Sequence, residues 1–432
     1  MTSPEYSHHF SINNIPYGIA SSQTHPQQAA TRLHNTVIFL GTLQQSGFFN
    51  EIAALPKDVF GNKTLNKFSA LPKDVHIAVR GFLQSALRDL DSIPENAKVD
   101  ITAVTLYLPV AISGFTDFSN SLNHVQNAGQ AILNDPSPPP GFFHFPIGYT
   151  GRSSTIVVSG TPITRPKGHF VDRTNPVPKS VVYGPSRALD YEVELGVVIG
   201  RPFGYGERGG EGVRAAEVEE EGYVFGWVLV NDWSARDIQG LEMIPLGPLN
   251  GKSFGTTLSP WIITTEALSP YRVPSPEPRV QLAPHLQEGG NGNYDIRLVV
   301  EILHHPSNTT TTTDKSTIQK EESGKIASAI ATTPSSSLFW THRQMLAHAT
   351  SNGADLRTGD LLATGTVSGS EPGQYGCLLE STKGGKEKVG LADGGERVYL
   401  LDGDEVRISA VLGDGGEGVG FGECIGEIRA AV

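Results

Sequence analysis

The chain has 432 residues, room for two domains of ordinary size, and its 45 acidic against 33 basic side chains give a formal net charge of −12. That balance argues against nucleic acid or an anionic membrane as the main partner, and the two cysteines, Cys377 and Cys424, are too few for a disulfide framework and suit a reducing compartment. Residues 1–10 (MTSPEYSHHF) lack the basic and apolar parts of a secretory signal, and no apolar run approaches the roughly 18 residues of a membrane span, so a soluble cytoplasmic protein is expected.

The 49 glycines and 29 prolines, set between short β-branched runs, predict a mainly β, mixed α+β protein rich in turns. Residues 1–110 read as a separate unit, with a strand and turn at 10–18, a strand at 36–43 and a helix over 74–90. The proline run at 136–141 is a rigid surface loop. Across 111–432, strands are expected at 154–158, 191–199, 223–230, 294–303, 361–363, 398–401, 405–411 and 425–429, with one helix at 339–349. Residues 204–221 read as a variable loop, and the threonine-rich stretch at about 305–337 as a mobile insertion. His304 and His305 are expected to be a solvent-exposed pair at a strand end, and the acidic run 217–221 a solvated face.

The most informative segment is 189–199 (LDYEVELGVVI). On a strand Glu192 and Glu194 project from one face. Neighbouring carboxylates repel unless a cation or proton lies between them, and a buried strand should not carry two unpaired charges. Asp232 stands where the apolar run 224–230 turns polar. Carboxylates converging in this way suit a hard divalent ion, Mg²⁺ or Ca²⁺.

Ordered motifs add a resemblance. PIGYTGRSS at 146–154, IVVSGTPI at 156–163, NDWSARDIQ at 231–239, GKSFGTT at 251–257, GTVSGS at 365–370, LDGDEV at 401–406 and GFGEC at 420–424 closely resemble the fumarylacetoacetase family over nearly the whole chain. The resemblance implies a small N-terminal SH3-like β-barrel (1–110), a larger C-terminal mixed β-sandwich roll (111–432) and a homodimer. It also implies a metal-dependent hydrolase that cleaves a C–C bond in a β-diketone, as in aromatic amino acid catabolism. Its metal-site positions fall on Asp117, Glu192, Glu194 and Asp232, with Lys252, Gly255 and Thr256 beside them. His124 matches the catalytic base and Glu380 the acid that orients it, while Lys252, Arg236 and Gln239 complete the catalytic set. Tyr149, Arg236, Gln239 and Thr366 match positions that meet substrate oxygens.

This sequence departs from the family pattern at three further substrate-binding positions. Ser119 replaces a tyrosine, Leu133 an arginine and Met243 a second tyrosine. Losing those donors predicts a more apolar pocket and a less acidic β-dicarbonyl substrate. The alternative is a decarboxylase, tautomerase or biosynthetic cyclase that works through a metal-stabilised enolate. Retention of His124 and Glu380 favours hydrolysis, because only hydrolysis needs a base for water.

Overall fold

The computed structural model describes residues 4–172, 174, 180–306, 321 and 324–432. An N-terminal domain of about 100 residues precedes the larger C-terminal domain. One 13-stranded sheet runs through both. Tyr17–Ser22 pairs antiparallel with Trp261–Thr264, and the order continues through Val224–Asp232, Val193–Ile199, Leu361–Ala363 and Phe115–Phe118 to Gly148–Thr150. A second, five-stranded sheet comprises Ile326–Pro334, Ile296–His304, Glu405–Leu412, Gly420–Arg429 and Ile163–Thr164.

The central strands are buried on both faces, and period-two alternation sends their side chains into two different cores. Leu195, Val197, Trp227 and Leu229 join the core that includes Leu298, Val300 and Ile408 of the second sheet. Val198, Val228 and Val230 pack instead with the N-terminal domain, against Phe68, Val75 and Val79. Trp233 and Trp340 are likewise buried. No helix among the described residues is long and apolar enough to cross a membrane.

Several expectations need correction. The helix expected to 90 is Lys73–Ala86, because the Asp89 side chain accepts from the Asp91 amide and starts a new turn. The 36–43 segment bends after Phe39 into the helix Leu40–Gln45, where Gln28 accepts from the Thr42 amide. The helix near 339 starts at His342 because Thr341 and Gln344 form a capping box. Leu122–Leu133 is a helix with no counterpart among the predicted elements, capped by Ser121. No strand forms at 398–401. Of the expected insertion, 307–320 and 322–323 lie outside the described residues, whereas Ile326–Pro334 is a strand antiparallel to Ile296–His304.

Two side-chain expectations fail for the same reason, the presence of a partner distant in sequence. His304 is buried, its Nε2 2.9 Å from Ser328 Oγ. Glu219 bonds to Arg272 and lies 3.1 Å from His342 Nε2, while Glu221 pairs with Arg201 at 2.6 Å and with Arg208 at 2.5 Å. Burial alone would raise the Glu219 carboxyl from 4.5, but His342 and Arg272 hold it down at about 2. A depressed folded-state pKa means that ionised Glu219 stabilises the fold above pH 4.5, a contribution lost as pH falls through about 2. Glu219→Gln should therefore cost about 2 kcal/mol at pH 7 and progressively less on acidification, read from urea midpoints at a series of pH values.

Candidate active site

Strand register builds the acidic cluster. Glu192 directly precedes the strand Val193–Ile199 and Glu194 lies within it, while Asp232 ends the adjacent strand. Val193 faces Asn231 and Glu194 faces Val230, so Glu192, Glu194 and Asp232 share one sheet face. On the other side Asp117 pairs with Ala363, which itself pairs with Gly196. One oxygen each from Asp117, Glu192, Glu194 and Asp232 lies within 4.8 Å of the others, and all four residues are buried.

Two of these carboxylates are balanced and two are not. Lys252 Nζ bonds to Glu192 and lies 2.7 Å from Asp232 Oδ2. Arg236 Nη1 reaches Glu192 Oε1 at 2.6 Å. Asp232 also accepts from Tyr149 OH and Thr256 Oγ1, each at 2.9 Å. In contrast, both Glu194 oxygens and Asp117 Oδ1 find no hydrogen-bond partner among the described residues. Burial first, then the neighbouring carboxylates, pushes Asp117 and Glu194 well above the usual carboxyl range. Burial opposes ionisation of Glu192 as well, but Lys252 and Arg236 reverse the sign and hold its pKa low. Buried, partnerless carboxylate oxygens are costly unless a cation meets them, and an all-oxygen donor set fits a hard divalent ion. The residues present fit such a group.

A second constellation lies beside the first. His124, on the helix Leu122–Leu133, holds Nδ1 2.8 Å from Glu380 Oε1. Glu380 is buried on the short helix Leu378–Ser381 rather than ending a strand. Its oxygens also accept from Ser368 Oγ at 2.7 Å and from Asn127 Nδ2 at 2.9 Å. Burial would raise the Glu380 pKa, but His124 and these donors draw it below the ordinary value.

Arg236 and Lys252 both turn inward and pair with neither Asp237 nor Glu242; Gln239 Oε1 accepts from Arg236 Nη1 at 3.2 Å. Lys252 is a counter-ion rather than a metal ligand, since an ammonium has no lone pair to give. Thr366 Oγ1 and Arg236 Nη2 are buried without hydrogen-bond partners among the described residues. A Cβ on Gly255 would meet Ile163 Cδ1 at 2.9 Å, so the close packing there favours glycine. A cleft of about 390 Å³ opens onto the cluster, lined by Phe115, Tyr149, Arg152, Asp232, Lys252 and Thr256 among others.

Of the expected substrate contacts only Tyr149 lines that cleft; Arg236, Gln239 and Thr366 lie outside its lining, as do His124 and Glu380, and so do the three departures Ser119, Leu133 and Met243. Ser119 is half-buried, and its amide bonds to the Ile147 carbonyl. Leu133, in the last turn of its helix, is 74% exposed, and Met243, just past the helix Arg236–Glu242, is 49% exposed. The expected apolar pocket wall is therefore absent from this cleft, because both side chains sit at helix ends that face outward.

Asp190, Asn127 and Ser368 were missed. Asp190 accepts from Arg236 Nε at 2.8 Å and from the Leu378 and Leu379 amides at 2.8 and 2.9 Å. It thereby ties the cation beside Glu192 to the helix that carries Glu380. Its place two residues before Glu192, the spacing that would set both on one face of a continuous strand, was the available signal, although in the structure residues 191–192 separate Leu189–Asp190 from Val193–Ile199. Asn127 and Ser368 carried no signal in sequence, since only tertiary contact gives them a role.

Two family models match: Fumarylacetoacetase N-terminal over residues 13–109 and Fumarylacetoacetate (FAA) hydrolase C-terminal over 113–432. The chain is similar to fumarylacetoacetases of Aspergillus fumigatus (39% identity, covering 98% of this chain and 96% of the relative) and Homo sapiens (36%, covering 98% and 97%). Among solved structures it resembles a fumarylacetoacetate hydrolase from Exiguobacterium antarcticum, with a TM-score of 0.51 at 18% identity, covering 96% of this chain and 99% of that one. At that identity the likeness speaks to fold alone.

Asp190→Asn leaves Arg236 short of a charge and weakens the cap on Leu378–Ser381. Breaking a buried pair in this way should cost about 3 kcal/mol in urea denaturation.

Proposed function

The chain belongs to the fumarylacetoacetate hydrolase family, and on that premise we propose that it is a divalent-metal-dependent hydrolase that cleaves the C–C bond of a fumarylacetoacetate-like β-diketone. One observation carries the reading: a buried cluster of four carboxylates, with the Glu194 oxygens unpartnered among the described residues, stands near a histidine–carboxylate pair. When bound, an Mg²⁺ or Ca²⁺ ion held by Asp117, Glu192, Glu194 and Asp232 would supply Lewis acidity to the two carbonyl oxygens of the substrate.

The chain's own residues do the rest. Glu380 accepts from the Nδ1–H of His124, which fixes the tautomer and leaves Nε2 free to take a proton from water. Arg236 Nη2 and Thr366 Oγ1, buried and unpartnered among the described residues, are donors left over for substrate oxygens, and Gln239 beside Arg236 is a third. Lys252, Tyr149 and Thr256 hold Asp232 in one orientation. The cytoplasm suits the two free cysteines. A homodimer is supported by the exposed apolar run of Leu241, Met243, Ile244, Leu246 and Leu249.

The natural substrate in this reading is less acidic than fumarylacetoacetate. Leu133 supplies no cation, and neither Ser119 nor Met243 supplies a phenol, so the grip on a remote carboxylate is weaker. Turnover of acylpyruvates, fumarylacetoacetate and uncharged 1,3-diketones in ¹⁸O-labelled water tests both points. One labelled oxygen should enter the acid product, and kcat/KM should favour the less charged diketones. A preference for fumarylacetoacetate removes the altered specificity, and unlabelled product removes hydrolysis.

His124→Gln should lower kcat by about 100-fold or more, read from turnover of the same diketones. Mg²⁺ or Ca²⁺ at a hundredfold excess over Kd should stabilise the wild-type protein by about 2.7 kcal/mol and Glu194→Gln by far less, measured by thermal melts with and without chelator.

A further inference from the structure

The second constellation contains a side chain that hydrolysis does not use. Cys377 directly precedes the helix Leu378–Ser381, and its Sγ lies 3.3 Å from Glu380 Oε1. Cys377 itself is extended, and the contact of its thiol with Glu380 is what holds the two side chains together. Across from them His124 presents Nδ1, and one ligand atom each from His124, Cys377 and Glu380 lies within 4.8 Å of the others. We infer that these three side chains form a second cation site, selective for a thiophilic divalent ion such as Zn²⁺, whose occupation switches off the His124 base.

Ligand chemistry separates this site from the acidic cluster. Nitrogen, sulfur and oxygen donors suit Zn²⁺, which takes four tetrahedral ligands, whereas an all-carboxylate set suits Mg²⁺ or Ca²⁺. Zinc bond lengths of about 2.0–2.3 Å place tetrahedral ligand atoms roughly 3.3–3.8 Å apart. The Sγ–Oε1 separation already matches, and the 2.8 Å Nδ1–Oε1 contact needs to open only a little. Asn127 keeps hold of Glu380 Oε2, so Oε1 stays aimed at the site. The His124 ring retains 14% exposure, which provides the entry, and water completes the coordination shell.

Charge and protons balance. A thiolate and a carboxylate neutralise the doubly charged ion, and the thiol proton leaves to solvent. Nδ1 must give its lone pair to the metal, so the remaining ring proton moves to Nε2. That is the nitrogen assigned to accept a proton from water, and once protonated it has no lone pair to do so. Binding thus inactivates by exchanging one tautomer for the other. Inhibition rests on the base role proposed above for His124, whereas cation binding does not.

The test uses intact, Mg²⁺-saturated protein titrated with Co²⁺ and, separately, with Zn²⁺. Co²⁺ should produce a near-ultraviolet thiolate charge-transfer band that saturates at one equivalent, and Zn²⁺ should abolish it. Only Cys377 can give that band from a chelating cluster, because Cys424 has no such group beside it among the described residues. Cys377→Ser should lose the band and bind Zn²⁺ about tenfold more weakly or worse, with zinc inhibition weakened in parallel. Absence of the band in the wild-type protein overturns the site whatever the variant does. Equal inhibition of wild type and Cys377→Ser overturns the switch. A band without inhibition upholds the site and removes the base role of His124, so the two failures are told apart.

Discussion

Everything in the site depends on one electrostatic imbalance. Four carboxylates are buried on one face of a sheet, and two cations, Lys252 and Arg236, stand against them. Both cations meet Glu192 and Lys252 also meets Asp232, so Asp117 and Glu194 keep oxygens with no partner among the described residues. A folded chain tolerates such a deficit only if the groups protonate or a cation enters. The unmet charge is the property the family's chemistry draws on, since a site already neutral would have little affinity for a metal.

The sheet makes that imbalance possible. Its central strands are apolar on both faces, and they are joined to the N-terminal domain through Tyr17–Ser22 and Trp261–Thr264. Water is therefore excluded beneath the cluster, on the side where Val198, Val228 and Val230 meet the N-terminal core. The N-terminal domain contributes none of the four carboxylates, but its packing lowers the local dielectric and strengthens every charge interaction above it.

A chain of hydrogen bonds links the carboxylate cluster to the histidine–carboxylate pair. Glu192 meets Arg236, Arg236 meets Asp190, and Asp190 caps the helix that presents Glu380 to His124. The carboxylate cluster and the histidine–carboxylate pair are thus mounted on one connected frame, which limits how far either can drift from the other. The same frame brings Cys377 against Glu380.

How much of this was legible from sequence varies with the range of the interaction. Glu192, Glu194 and Asp232 were readable because strand periodicity and an apolar-to-polar boundary are local properties. Asp117, His124 and Glu380 entered through the family resemblance, and Asp190, Asn127 and Ser368 were missed because their roles exist only through partners remote in the chain. The same limit made His304 and Glu219 look solvent-facing when Ser328 and Arg272 enclose them. Leu133 and Met243 were identified as departures, yet only the fold placed them at outward-facing helix ends. By itself the sequence determined composition, the strand-rich class, the alternation of side chains and which residue types were present to bind and react. Tertiary structure decided which carboxylates share a cavity, which cation satisfies which of them and which stay unmet. Those outcomes depend on distances between residues far apart in the chain, which no local pattern encodes.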